Sequence, residues 1–69
     1  MRHRVDELVD EMLDKGILYE DARYVFERRF LTRALARSKG TLGSLAERLG
    51  IHRNTLARKI TNHGLKRRN

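Results

Sequence analysis

The sequence predicts an all-α fold, four helices in one small domain, and three observations predict it. Apolar residues recur at i, i+3, i+4 and i+7 along most of the chain, and no stretch alternates with the period of a strand. Proline is absent, so five glycines are the main punctuation. The 69 residues allow a single domain, 1–69. A domain of that size buries only about 60% of its unfolded surface, so small chains add disulfides, a metal or a partner subunit. Cysteine is absent, which excludes disulfides and cysteine-based zinc sites and leaves a partner subunit.

The first helix is predicted over residues 4–15. Val5, Leu8, Val9, Met12 and Leu13 form one apolar stripe, and Asp6, Glu7, Asp10, Glu11 and Asp14 cover the other face. Gly16 closes it in a left-handed conformation, and Ile17 can fold back on the stripe. The second helix is predicted over 18–39, with Glu20 and Asp21 at its positive end and Arg33, Arg37 and Lys39 at its negative end. It carries two apolar stripes. Ala22, Val25, Phe26, Phe30 and Ala34 make one; Tyr24, Leu31 and Leu35 make the other. A small monomeric core needs only one, so a second copy is expected to cover part of this helix. Gly40 is expected to end it.

The third helix is predicted over 42–49, capped by Thr41, with Leu42, Leu45, Ala46 and Leu49 inward. The fourth is predicted over 53–63, with Leu56, Ala57 and Ile60 inward, Gly64 closing it and Leu65 packing back. The division is thus 1–39 for dimerisation helices, 40–65 for the last two helices and 66–69 for a basic tail.

Charge is unevenly placed. Sixteen Lys and Arg stand against nine Asp and Glu, a net +7. Residues 1–30 hold six basic and eight acidic residues, net −2; residues 31–69 hold ten basic residues and Glu47 alone as an acid, net +9. So polarised a chain points to a polyanion, nucleic acid foremost. No apolar run approaches the ~20 residues of a membrane span, and no signal-peptide core follows Met1. A cytoplasmic protein with no membrane partner is therefore expected.

Residues 45–60 have the spacing of a helix-turn-helix. Ala46 is small where the second helix crosses. Gly50, four residues on, allows a sharp turn where a Cβ would clash. Ile51 fills the junction, and Leu56 and Ile60 pin the fourth helix on the third. That packing turns His52, Arg53, Asn54, Thr55, Arg58 and Lys59 outward, donors and acceptors suited to base edges and phosphates of a major groove. The same apolar spacing would also serve an ordinary helical hairpin; the exposed Arg53-Asn54-Thr55 and the basic surround favour double-stranded DNA.

From Phe26-Glu27-Arg28-Arg29-Phe30-Leu31 through Leu65 the chain resembles the Fis-type helix-turn-helix, most specifically over Ala46–Ile60 and Gly64-Leu65. That family includes the nucleoid protein Fis and the output domains of nitrogen-regulation-type activators. The resemblance implies a homodimer formed by the first two helices and a DNA-binding pair formed by the last two, often with bending. It implies base contacts from His52, Arg53, Asn54, Thr55 and Arg58 and a phosphate contact from Lys59. Thr41, Arg48, Lys66 and Arg67, and the backbone N–H of Gly43, complete the expected phosphate set. The expected dimer interface is Val5, Leu8, Val9, Met12, Tyr24, Phe26, Phe30 and Leu31. The pattern departs from the family at Gly40-Thr41-Leu42-Gly43, where only Thr41 keeps a polar side chain; at His52, which replaces a better-capping Ser or Asn; and at Ala57, which offers no contact.

His3, His52 and His63 have no i, i+4 partner, so no metal is expected, and no cofactor or small-molecule substrate is implied. There is no thiol, no base beside Ser38 or Ser44 and no phosphate-binding loop, so the chain does not read as an enzyme. His63 is expected to sit against the negative end of the fourth helix. The resulting expectation is a homodimer on a roughly palindromic site, in bacterial transcription regulation or nucleoid organisation. Alternatives are an output domain cut from a larger activator, a helical protein–protein adaptor, and an RNA-binding module. The last lacks aromatics in its basic half.

Overall fold

In the computed structural model, residues 2–65 are described and all regular structure among them is helical. The expected contacts of Lys66 and Arg67, with the rest of the tail, lie outside the described residues. The helices are α1 (Arg2–Asp14), α2 (Tyr19–Arg37), α3 (Leu42–Leu49) and α4 (Arg53–Asn62). The predicted boundaries hold within two residues, because the closing signals are local. Gly16, Gly50 and Gly64 all have positive φ. Each begins the same paired closure, in which its own N–H and that of the next residue reach back to the last turn. At Gly50 the bonds are Gly50 N to Glu47 O (3.2 Å) and Ile51 N to Ala46 O (3.0 Å).

Two expectations about glycine are corrected. A Cβ at Gly50 would meet nothing within 4 Å, so the residue is required by its φ of 74°, not by a clash. Gly40 does not end α2. The helix stops at Arg37, where Ser38 turns extended, while a Cβ on Gly40 would lie 2.6 Å from Ser44 Oγ. Gly40 is therefore a site of close approach to the start of α3.

The core belongs to the second half of the chain. Leu31, Leu35, Leu45, Ala46, Leu56 and Ile60 are buried together, with Leu42, Leu49, Ile51 and Leu65 packed around them. Leu56 is wholly inaccessible. The two stripes of α2 divide over most of their length, although Tyr24 of the second is exposed and Ala34 of the first packs on the core. Leu31 and Leu35 face this core, whereas Val25, Phe26 and Phe30 on the other stripe are exposed. Leu31, expected at a dimer interface, is 3% exposed and lies in the core of the single chain with Leu35. The apolar residues of α1 join no core among the described residues. Val5, Leu8, Val9, Leu13 and Ile17 are all exposed, while Met12 is half-buried. Between α2 and α3 lies an open cleft of about 540 Å³. Phe26, Phe30 and Leu45 line it together with Arg29, Arg33, Arg37 and Arg48.

Candidate nucleic-acid interface

The candidate surface is built on α3 and α4. Thr41 caps α3, its Oγ1 accepting from Ser44 N at 3.1 Å while Ser44 Oγ donates to Thr41 O at 3.0 Å. This reciprocal pair fixes the entry into the helix. Gly43 is the second residue of α3, so its N–H has no acceptor within the helix and is available to an anion. Beside it runs the stem of Arg53: Arg53 Cδ lies 3.6 Å from where a Cβ of Gly43 would be. The start of α3 and the start of α4 thus form one polar corner.

His52 is a working cap, contrary to the weak capping its side chain implied. Its Nδ1 accepts from Asn54 N at 3.0 Å. With Nδ1 accepting, Nε2 is the nitrogen that can donate outward from this exposed residue. Along α4, Leu56 and Ile60 are buried, and the opposite side of the helix carries Asn54 and Arg58 one turn apart. Arg53 is exposed at the first turn and Thr55 is half-buried. Thr61 and Asn62 continue the exposed side beyond Arg58. They were missed as candidates, although their i+3 and i+4 spacing from Arg58 marks them. Arg48 is exposed in the last turn of α3, on the wall of the cleft shared with α2.

Lys59 stands apart from this set. It turns toward α2, where its Nζ donates to Glu27 Oε2 at 2.8 Å. The other carboxylate oxygen of Glu27 is 2.7 Å from His63 Nε2. His63 is buried at 6% exposure, its ring centroid 4.7 Å from that of Tyr24 with the planes tilted by 42°, and its backbone carbonyl accepts from Arg28. Tyr24, Glu27 and Arg28, neighbours on one side of α2, therefore hold the C-terminal end of α4. His63 serves this tie rather than only the helix dipole. Its Nδ1 has no hydrogen-bond partner among the described residues. The two hydrogen bonds, from Lys59 first and His63 second, hold the Glu27 carboxyl at about 2, below its ordinary 4.5.

The sequence model of the bacterial regulatory proteins of the Fis family matches residues 23–63 of the chain, from the first half of α2 to the end of α4. Among curated proteins and among solved structures, none matches significantly.

Proposed function

The chain belongs to the Fis family of bacterial regulatory proteins, and from that premise we propose a homodimer that reads duplex DNA through paired α4 helices. Membership makes it a DNA-binding helix-turn-helix domain of the transcription-regulating class. The observation that carries the finer reading is the outer side of α4, polar and exposed while Leu56 and Ile60 hold the helix on its core. In this reading His52, Arg53, Asn54, Thr55 and Arg58 meet base edges. A guanidinium such as that of Arg53 can donate twice to guanine, worth about 1–3 kcal/mol of discrimination. Thr41, the N–H of Gly43 and Arg48 meet phosphates.

The dimer reading is supported by the uncovered apolar surface of α1 and of the Val25, Phe26 and Phe30 stripe. Charge favours a second copy as the cover. The cleft beside Phe26 and Phe30 is flanked by Arg29, Arg33 and Arg37, and α1 borders its apolar stripe with carboxylates. Paired α4 helices related by a two-fold axis would read a roughly palindromic site.

The test is selection of bound duplexes from a random pool, followed by titration at several salt concentrations. The reading requires an enriched, roughly palindromic site and an affinity that falls steeply with salt. Arg53→Ala should flatten the preference at one position of each half-site. Arg48→Ala should weaken all duplexes alike and reduce the salt slope by about 0.9 for each phosphate it no longer neutralises. An affinity indifferent to salt would sink the proposal.

A further inference from the structure

The ammonium group that α4 directs toward α2 gives the Glu27 tie a second consequence. Lys59 Nζ and Glu27 Oε2 are 2.8 Å apart, with side chains 31% and 25% exposed, so the pair is partly withdrawn from water. The carboxylate is held from its other oxygen by buried His63, and Arg28 and Tyr24 grip the same residue, so Glu27 has little freedom to follow Lys59 outward. For Lys59 to meet a phosphate, it must exchange one anion for another and leave Glu27 with His63 alone. The exchange gains little, because the new charge-assisted bond replaces one of the same kind.

We propose that Glu27 is a positioning residue, which keeps Lys59 out of the phosphate-contacting set. The inference rests on the DNA-binding reading above. Its effect falls on the sequence-independent part of binding. Each phosphate neutralised by a free Lys or Arg steepens the salt dependence by about 0.9 in the log–log slope. A protein with one such neutralisation fewer per subunit keeps less affinity for arbitrary duplex, while base contacts from the outer side of α4 are untouched. Glu27 reaches no base itself; it acts through Lys59.

The experiment measures the salt dependence of binding to a random-sequence duplex, and to the selected site, for the wild type and three variants. Lys59→Ala leaves Glu27 its bond to His63, and its slope should equal that of the wild type. Glu27→Gln should steepen the slope by about 0.9 for each subunit bound, so its affinity for random duplex falls about 3.5-fold more per subunit between 50 and 200 mM salt. Its affinity for the selected site and for random duplex should rise alike at low salt. In the double variant Glu27→Gln, Lys59→Ala the added slope should vanish, since the gain runs through Lys59. A purely structural role for Glu27 moves none of these slopes. The proposal is overturned if Lys59→Ala alone lowers the slope by about 0.9, a test that stands even if Glu27→Gln does not fold. It is equally overturned if folded Glu27→Gln keeps the wild-type slope. A wild type that binds no duplex at all refutes the DNA-binding reading instead.

Discussion

Replacing Glu27 by Gln should destabilise the protein at neutral pH and cost progressively less as the pH falls. The carboxyl is lowered from 4.5 to about 2, by the Lys59 hydrogen bond foremost and then that of His63. A folded-state value below the unfolded one means that the unfolded chain takes up the proton first. The stabilisation is therefore complete above about pH 4.5 and is lost as the pH falls through about 2. At 1.36 kcal/mol per unit, the whole shift corresponds to about 3 kcal/mol. Glutamine keeps one neutral hydrogen bond and the site retains some solvent, so a loss of about 1–3 kcal/mol is expected at pH 7. With a urea m-value of about 1 kcal/mol/M for so small a domain, that shifts the midpoint by about 1–3 M. The assay is urea unfolding followed by circular dichroism at pH 7, 5, 4 and 3, at one fixed protein concentration because association would contribute. Other carboxylates titrate in both proteins, so the quantity to read is the gap between the two curves. A gap that stays constant from pH 5 to pH 3, or is absent at pH 7, would refute the role assigned to the Glu27 cluster.

Three further outcomes follow from the packing. Leu56→Ala empties the wholly inaccessible side chain at the centre of the core and should cost about 2–5 kcal/mol in the same unfolding assay, much of the stability of a domain this small. Gly50→Ala meets no neighbour, so its cost should be the left-handed backbone alone, about 1–2 kcal/mol; a larger loss would show that the turn is also packed tightly. Leu8→Asp places a carboxylate on the exposed stripe of α1 and should shift the protein toward monomer in sedimentation equilibrium, with little loss of helicity in α3 and α4.

Helix boundaries were legible because their signals are short-range. A glycine just past a closing turn and a Thr at the start of α3 act within one helical turn, whatever the rest of the chain does. The core residues of α3 and α4 were legible for a related reason: two short helices joined by a tight turn leave one way to bury Leu45, Ala46, Leu56 and Ile60 together. On α2 the pattern was ambiguous. Two stripes were visible, and only the tertiary structure decides that Leu31 and Leu35 face inward and Phe26 and Phe30 do not. The Glu27 cluster was not read, because its partners lie 32 and 36 residues away in sequence. A signal was nonetheless present. Glu27 lies one turn before the inward-facing Leu31, and His63 one turn beyond the buried Ile60. An acid in line with one buried stripe and a base in line with another suit each other, since neither is buried cheaply alone.

That pairing also changes how the charge of the chain should be read. The net +7 averages a half at −2 with a half at +9, and two copies would concentrate +18 in their cationic halves. Neither sum says which charges are free to act. Lys59 is neutralised by a carboxylate supplied from the acidic half, so the count overstates the charge that α4 presents to a polyanion. On α1 the exposed Glu11–Lys15 pair at 3.8 Å neutralises little, and the acids of that helix repel the same polyanion. The field is therefore attractive beside α3 and α4 and repulsive beside α1, which orients an approaching duplex before any contact forms. The two effects differ in range: under the proposal above, long-range charge would bring a duplex to the side of α3 and α4, while the short-range tie would withhold the ammonium of Lys59 from it.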